Sequence, residues 1–297
     1  MEIFLEWLII EINLTNPISC SANRFICLAD YSGQKIHLID GQNIAWQKNV
    51  EGNIEKIFVN KNGYVSVIIS GTSYKSIVVT YDTKGNELFK TYLSTTYATD
   101  ISISNDNKYL AIAEIDYSGA SIQSNIKIIS FDKAQKNPTN AVEYIYPAST
   151  NSIINNIKYT SKNKLVCLYD NSIHVIHNNN DSEIFSISKN TNFIDINLND
   201  SYLKISSDSG EIFSGDNAHI INISSEKESI YKIKGAPKNI YCEDDIIAIN
   251  MGSEIEFINT SGWLLKKYST SQEAKEIKIA SGIAGIVYKN KLEIINL

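Results

Sequence analysis

Residues 24–40 read RFICLADYSGQKIHLID, and this stretch decides the fold. Two short runs rich in Ile, Leu and other apolar residues flank the polar turn Tyr31-Ser32-Gly33. Short apolar runs bounded by Ser, Gly, Asn and Asp are typical of β-strands joined in a hairpin. The turn recurs, since Asp30-Tyr31-Ser32-Gly33 returns as Asp116-Tyr117-Ser118-Gly119, 86 positions later. This recurrence indicates that one unit of strands is repeated along the chain.

Seven groups of three or four such runs follow one another, at a spacing of about 42 residues. Four short strands at this period are typical of a β-propeller blade. We therefore predict an all-β fold, a seven-bladed β-propeller of four-stranded antiparallel blades. Six or eight blades would follow if the weakly patterned fifth group is divided wrongly. Helical periodicity over a full window is absent throughout.

The ends of the chain predict how the blades close. We predict one domain over residues 1–297, with six blades in 14–270 and three strands of a last blade in 271–297. Residues 1–13 contain a lone apolar strand, which would be the outer strand of that last blade and leave no open edge. The segment is about half the ~20 residues of a spanning helix, and two glutamates interrupt it. It also lacks the basic region of a signal peptide.

Composition and motifs limit the partners and the chemistry. The net charge is −6, and no run of five basic residues occurs, which argues against nucleic acid. The sequence contains no Cys-x-x-Cys pair, although Cys20 and Cys27 would lie on neighbouring strands. Nucleophile-elbow, zinc-protease and phosphate-loop motifs are absent as well. We therefore expect no catalytic residue, no cofactor and no metal site.

Several third strands end in an acid or amide followed by glycine. The examples are Asp40-Gly41, Asp82 with Gly85, and Asn259 with Gly262. The acid or amide would cap the turn, the glycine would take a positive φ, and the aromatic residue that follows would pack between blades. A calcium loop would need oxygen ligands at alternating positions and a final glutamate, which these turns lack.

This turn pattern resembles the blades of pyrroloquinoline-quinone-type and WD-like propellers. Four stretches resemble more closely a bacterial domain-of-unknown-function family of propeller proteins: residues 16–18, 25–30, 80–88 and 101–111. The resemblance implies an N-terminal membrane anchor that holds the propeller outside the cytoplasm, and it implies no activity. This chain begins at about the first outer strand without such an anchor. Its localisation is therefore expected to be extracytoplasmic and membrane-associated by resemblance, or cytoplasmic if Met1 is the true start.

The turns between second and third strands are the candidate binding residues. In a propeller they share one face with the connections between blades. They carry acids and tyrosines, namely Asp30, Tyr31, Tyr74, Asp116, Tyr117, Tyr169, Asp170 and Asp208. Tyrosine combines an apolar ring with a polar tip, so this face could bind a basic peptide, a cation or a sugar. The alternative is that the acids cap hairpins and the tyrosines lean on strands.

Two functions remain open at this point. The first is a non-catalytic scaffold that binds a protein or a cell-surface component. The second is a propeller enzyme, either a quinone-dependent dehydrogenase or a carbohydrate-active hydrolase that uses channel carboxylates. The densest acid run, Glu243-Asp244-Asp245, is better explained by a solvated loop. A quinone enzyme also needs a tryptophan stacked on its cofactor, whereas all three tryptophans are predicted on outer strands: Trp7, Trp46 and Trp263.

Overall fold

A computed structural model describes most of the chain as strands. The described residues are 12–41, 43–71, 73–137, 140–186, 192–198, 202–208, 217–222, 227–234, 237–243, 245–280, 282–289 and 291–297. The chain forms two compact units, one of residues 1–170 with 174–182 and one of residues 171–173 with 183–297. Strands that follow each other in sequence pair with each other in every sheet. Such an antiparallel four-stranded meander is the blade of a β-propeller.

Three sheets lie in the first unit. The first contains β1 (Pro17–Ala22), β2 (Phe25–Asp30), β3 (Lys35–Asp40) and β4 (Asn43–Asn49). The second contains β5 (Asn53–Val59), β6 (Val65–Ser70), β7 (Ser76–Tyr81) and β8 (Glu87–Leu93). The third contains β9 (Tyr97–Ile103), β10 (Tyr109–Asp116), β11 (Gln123–Ser130) and β12 (Val142–Pro147).

The fourth sheet follows the third along the chain. It contains β13 (Ile154–Tyr159), β14 (Leu165–Tyr169), β15 (Ser172–His177) and β16 (Asn180–Ser186). The fifth contains β17 (Asn192–Leu198), β18 (Tyr202–Asp208), β19 (Asn217–Asn222) and β20 (Glu228–Lys232). The sixth contains β21 (Asn239–Glu243), β22 (Ile246–Asn250), β23 (Glu254–Asn259) and β24 (Leu264–Ser269). The seventh contains β25 (Glu276–Ala280), β26 (Ile283–Val287) and β27 (Leu292–Asn296).

The all-β prediction and the four-stranded blade are confirmed, but the blade count is wrong. Among the described residues, six sheets have four strands and the seventh has three, β25 to β27. The prediction that residues 1–13 complete this sheet falls mostly outside the described residues, which begin at residue 12. That closure and the single domain over residues 1–297 stay predictions.

Buried side chains lie between neighbouring sheets within each unit. The cluster between the first two sheets includes Ile36 and Leu38 on one side and Val65 and Val67 on the other, all fully buried. Because side chains alternate between the faces of a strand, the middle strands of each sheet contact both neighbouring sheets. Every residue of β7 is accordingly buried. Each buried Val or Ile stabilises the fold by about 1.5–3 kcal/mol relative to an exposed one.

Two of the three predicted turns that close third strands have the predicted chemistry, those at Asp82 and Asn259, whereas the Asp40 carboxylate pairs with the Arg24 guanidinium. The Asp82 carboxylate accepts hydrogen bonds from the backbone N–H groups of Lys84 and Asn86, both at 2.8 Å. Gly85 has a φ of +78°, and a Cβ there would lie 2.9 Å from the Trp46 ring of the first sheet. Glycine is therefore needed for the backbone angle and for the close contact with Trp46. Trp263, by contrast, is 72% exposed, so the prediction that the aromatic residue packs between sheets is wrong there.

One short helix was not expected from the sequence. α1 (Phe131–Lys136) joins β11 to β12, and six residues are too few to show a full helical period. The Ser130 hydroxyl caps its first turn by accepting from the Lys133 N–H at 3.4 Å. Phe131 is buried against Phe89, with ring centroids 5.1 Å apart. The helix therefore closes the end of the core between the second and third sheets.

The cysteines behave as core residues where their side chains are described. Cys27 and Cys167 are fully buried, while Cys20 is half-buried. Cys20 lies directly opposite Cys27 across β1 and β2, as the sequence predicted. A hydrogen bond to Cys20, with burial, raises the pKa of Cys27, and burial raises the pKa of Cys167.

The first strands of several sheets contain a β-bulge at the same place. The first strands of the second, third and fourth sheets each contain a β-bulge, at Glu55, Thr99 and Asn155. A bulge places two residues of one strand opposite one residue of the next and redirects the side chains that follow it. In this chain it precedes Lys56 and Asp100, which bond to each other as described below.

Candidate functional site

Two of the predicted acids, Asp30 and Asp170, lie in the expected turns and cap them. Asp30 accepts the N–H groups of Thr15 and Asn16, each at 2.7 Å. Asp170 accepts the Ser152 hydroxyl at 2.7 Å and the Ile153 N–H at 3.1 Å. These bonds join the turn between second and third strands to the segment that precedes the first strand. The capping alternative therefore accounts for both acids.

Three further predicted residues, Tyr169, Asp208 and Tyr31, are not described as part of the candidate surface. Tyr169 is 3% exposed and belongs to the core between the third and fourth sheets, where burial raises its pKa. Its ring centroid lies 4.3 Å from that of His174. Asp208 is the last residue of β18, and its side chain lies outside the described part of the structure. Tyr31 is exposed in its turn, but no aromatic contact is described for it.

Of the remaining predicted residues, Tyr74 and Tyr117 belong to a group of tyrosines and one lysine on the second and third sheets. We call this group, Tyr74, Lys75, Tyr92, Tyr97 and Tyr117, the tyrosine–lysine cluster. Tyr74 and Tyr92 pack with ring centroids 4.7 Å apart, and Tyr97 stacks on Tyr117 at 5.1 Å with planes 7° apart. The Lys75 ammonium lies 4.7 Å from the Tyr97 centroid and donates to its hydroxyl at 3.2 Å. A cation over a tyrosine face is attracted by the ring quadrupole.

Asp116 forms the edge of this surface. Its carboxylate accepts the Ser118 N–H at 2.9 Å and the Ser118 hydroxyl at 2.6 Å. These hydrogen bonds, with a smaller contribution from the charge of Lys75, lower the pKa of Asp116. The turn is therefore held by its acid, and Tyr117 between the two bonded residues is left 55% exposed.

Buried hydrogen bonds fix Tyr97 from both sides. The Ala98 N–H donates to the Ser76 hydroxyl at 3.1 Å, and both residues are buried. The Thr96 hydroxyl donates to the Glu114 carboxylate at 2.7 Å. Lys75 precedes Ser76 in the chain, so the Ser76–Ala98 bond holds both halves of the Lys75–Tyr97 contact in place. The cluster is thus built on strand ends anchored by the core.

Two buried carboxylates lie beneath this face, and each is paired with a lysine. Glu114 is 1% exposed, and Lys127 contacts it at 2.9 Å. Asp100 is 3% exposed, contacts Lys56 at 2.7 Å and accepts the Ile157 N–H at 2.8 Å. Burial nevertheless raises the pKa of Asp100, because desolvation outweighs the attraction of Lys56.

The hydroxyls of the stacked tyrosines are also coupled. Hydrogen bonds from Tyr117 and from Lys75 lower the pKa of Tyr97, while donating to Tyr97 raises the pKa of Tyr117. Lys75 and Tyr117 therefore both contact the Tyr97 side chain.

The second unit has its own network around a glutamate. Glu293 of β27 accepts the hydroxyls of Tyr268 at 2.9 Å and Tyr288 at 2.7 Å, and Lys291 contacts it at 2.6 Å. These bonds, that of Lys291 foremost, lower the pKa of Glu293 to about 2. The network ties β24 to the last sheet and is structural in character.

Sequence reasoning missed three members of the cluster, Lys75, Tyr92 and Tyr97. Tyr92 is the penultimate residue of β8 and Tyr97 begins β9, so both flank a connection between blades. Those connections share a face with the turns between second and third strands. The same rule that selected Tyr74 and Tyr117 could therefore have found Tyr92 and Tyr97. Nothing in the sequence marked Lys75 apart from its place beside Tyr74.

The other residues considered from the sequence lie apart from the cluster. Of the acid run, Asp245 is exposed, while the side chains of its two neighbours lie outside the described part. Trp46 lies on β4 as predicted, whereas Trp263 precedes β24 in a turn. Among the described residues, no three His, Cys, Asp or Glu side chains converge as metal ligands do. Across the same ranges, no helix reaches the length and apolarity of a membrane span.

Solved structures with the same fold are distant in sequence. Hydrazine synthase of Kuenenia stuttgartiensis matches with a TM-score of 0.61 and 12% identity, over 99% of each chain. Apo AztD from Citrobacter koseri matches with a TM-score of 0.55 and 14% identity, over 86% of this chain and 73% of that one. The Pan2 WD40 domain of Neurospora crassa matches with a TM-score of 0.54 and 7% identity, over 91% and 85%. At these identities the likeness shows the fold alone.

The sequence comparisons identify the family. No functionally curated protein matches the chain. The profile of a family of unknown function, DUF5711, matches residues 7–297. That match covers nearly the whole chain, in agreement with the predicted resemblance to a domain-of-unknown-function family of propellers. The chain therefore belongs to the DUF5711 family of β-propeller proteins.

Proposed function

We propose that this chain is a non-catalytic scaffold that binds another protein through the tyrosine–lysine cluster. The observation that carries the proposal is the exposure of ordered aromatic rings on one face. Tyr74, Tyr92 and Tyr117 are 39%, 50% and 55% exposed, although each ring is held by another ring. Tyrosines are enriched at the centres of protein interfaces, because a rigid ring with a polar tip gives large contact area at a low entropic cost.

The order of the cluster supports binding without rearrangement. Tyr97 and Tyr117 are already stacked, and Lys75 is already hydrogen-bonded to Tyr97. A partner would therefore not need to immobilise these side chains, which is a cost of about 0.5–1.5 kcal/mol for each freely rotating one. Lys75 and Asp116 supply one charge of each sign, so the surface favours a mixed polar and apolar partner over a strongly charged one.

The ion pairs and hydrogen bonds of the buried acids support the proposal that the chain is not a catalyst. Asp100 and Glu114 are the carboxylates beneath this face, and each is held by a lysine and by another hydrogen-bond donor. A catalytic acid or base needs a free path to its substrate. The bonds of Asp100 instead join the third sheet to its two neighbours, and those of Glu114 join β10 to β11 and to Thr96 before β9, so both acids have a structural role.

Photocrosslinking in the native cell tests the proposal. A photoreactive phenylalanine analogue at position 92 should give a discrete crosslinked product. The same analogue at Ile145, which is 53% exposed on β12, is the matched control and should give none. Tyr117→Ala should reduce the product from position 92 at least tenfold, since central interface tyrosines contribute about 2 kcal/mol or more. Equal yield from both positions, or no loss with Tyr117→Ala, would refute the proposal.

A further inference from the structure

A cavity of about 240 Å³ opens between the third and fourth sheets, on the face opposite the tyrosine–lysine cluster. It lies beside the turns that join first to second strands, whereas the cluster lies beside those that join second to third. Four tyrosines line it, Tyr109, Tyr144, Tyr146 and Tyr159, and we call it the tyrosine pocket. All of these residues belong to the first compact unit.

Three of its hydroxyls have no hydrogen-bond partner in the part of the chain that the structure describes. The hydroxyls of Tyr109, Tyr146 and Tyr159 form no hydrogen bond with any residue in the described ranges. Burial raises the pKa of Tyr159 and of Tyr146, so both phenols are neutral and able to donate. In the described ranges the fully buried side-chain atoms without a partner are His37 Nδ1, Trp46 Nε1 and Ser124 Oγ, so the three phenol hydroxyls are open to solvent and can bond to water or to a ligand. The pocket therefore presents several unfilled donors and acceptors to an occupant.

The rim of the pocket is held in place by its own turn. Asn178 and Asn179, which join β15 to β16, have φ angles of +49° and +62°. Two consecutive positive angles make the tight hairpin turn that asparagine tolerates. The turn brings the Asn179 amide to the Tyr144 hydroxyl, to which it donates at 2.7 Å. Tyr144 is thus fixed as one wall, 36% exposed.

The charges on the lining restrict the occupant. No lysine or arginine lines the pocket, so a phosphate or a carboxylate would meet no cation. The one carboxylate, Asp106, accepts the Ser104 hydroxyl at 2.7 Å and lies 3.8 Å from the Lys108 ammonium outside the pocket. The remaining polar groups are phenols, amides and His177. Such a lining suits a neutral molecule with many hydroxyl groups.

The size of the pocket restricts the occupant further. At about 30 Å³ per water molecule, 240 Å³ holds roughly eight waters. Pockets for drug-sized ligands range from about 300 to 1,000 Å³, so this one is too small for an extended chain. One six-membered sugar ring fits, with its C–H face on a tyrosine ring and its hydroxyls on the unpaired phenols and amides.

We infer that the tyrosine pocket is a binding site for a single neutral sugar ring. The inference is independent of the protein interface proposed above, because the two surfaces share no residue and lie on opposite faces. For a ligand of 12 non-hydrogen atoms at about 0.3 kcal/mol per atom, the expected Kd is on the order of 1 mM. Such weak binding would recognise the terminal residue of a glycan rather than scavenge a free sugar.

Saturation-transfer difference NMR on the full chain tests the inference. The ligands are glucose, galactose, mannose and N-acetylglucosamine, each titrated to about 20 mM. At least one should give transfer with a Kd near 1 mM. Tyr159→Phe, which keeps the ring and removes only the hydroxyl, should weaken that sugar about fivefold. Tyr31→Phe, in an exposed turn outside both proposed surfaces, is the matched control and should leave its Kd unchanged.

Three results would overturn the inference. The first is the absence of transfer from every sugar, with the fold intact by circular dichroism. The second is a Tyr159→Phe variant that binds as tightly as the wild type. The third is tighter binding of glucose 6-phosphate or glucuronate than of glucose, because an anionic ligand contradicts a pocket without cations. Photocrosslinking at position 92 is not affected by any of these outcomes, so failure of this site is distinguishable from failure of the protein interface.

Discussion

Among the buried residues, Glu114 is the one whose replacement should disturb the tyrosine–lysine cluster most. Its carboxylate is 1% exposed and accepts bonds from Thr96 at 2.7 Å and Lys127 at 2.9 Å. Replacing it with alanine leaves a buried hydroxyl and a lysine without acceptors. Breaking a buried ion pair costs about 3–5 kcal/mol. Lys127 is 24% exposed and can reach water, so we expect the lower end, about 3 kcal/mol.

Urea unfolding of Glu114→Ala measures this loss. With an m-value of about 2 kcal/mol per M, a loss of about 3 kcal/mol lowers the midpoint by about 1.5 M. Glu114→Gln keeps the side-chain shape and one acceptor oxygen, so it should cost only about 1–2 kcal/mol. A double-mutant cycle with Lys127→Met should give a coupling energy of about 1–2 kcal/mol. Hydrogen exchange of residues 97–116 shows whether the loss is local to β9 and β10.

The same variant should also loosen the stacked tyrosines. Thr96 precedes Tyr97 and is held by Glu114, so its release frees the start of β9. We expect the near-ultraviolet circular dichroism of Glu114→Ala to fall while its far-ultraviolet signal persists. A stability loss below about 0.5 kcal/mol, or a coupling energy near zero, would mean that the pair is not an anchor.

Three further results are expected. Gly85→Ala should destabilise the protein by about 2 kcal/mol or more and change the fluorescence of Trp46 beside it. The control Gly41→Ala, with a φ of +59° and open space around it, should cost only the backbone strain of about 1 kcal/mol. Equal losses of stability in the two variants would contradict the packing argument. The pKa of Glu293 is lowered to about 2 in the folded state, so its stabilising contribution is present above its usual pKa of 4.5 and is lost as the pH falls toward 2. The acid unfolding curves of the wild type and of Glu293→Gln should therefore converge below pH 4.5. Parallel curves would contradict this. In native protein, thiol labelling followed by peptide mapping should modify Cys20 before the two buried thiols described above, and the reverse order would place those thiols at the surface.

The repeat unit of the fold could be predicted from the sequence because blade chemistry is local. The apolar alternation around Cys27 and the glycine at position 85 each act within a few residues, so the strand and the turn follow from the residues themselves. The helix at residues 131–136 was missed because six residues are shorter than the window that reveals a helical period. The number of complete blades depends on pairing between distant segments, which local patterns do not determine.

The sequence predicted which turns carry the candidate site, but it did not predict which residues form the tyrosine–lysine cluster. A tyrosine in a hairpin turn can point to solvent or into the core, and the sequence does not distinguish Tyr117, which is exposed, from Tyr169, which is buried. The position of Lys75 depends on the hydrogen bond between Ser76 and Ala98, at the start of β9. These two bonded residues are 22 positions apart in the chain. Side-chain contacts of this range are decided by packing and leave no periodic signal.

The bonds of the Asp100 carboxylate should make the unfolding of three neighbouring sheets more cooperative. It belongs to the third sheet, yet it bonds to Lys56 of the second and to the Ile157 N–H of the fourth. In repeat proteins, stability is approximately a sum of terms for each repeat and for each nearest-neighbour contact. A single side chain that contacts both neighbours adds a term that spans three repeats. The inner strands β5, β9 and β13 should therefore exchange their amide hydrogens in one concerted opening, and separate openings should appear once Asp100 is replaced by alanine.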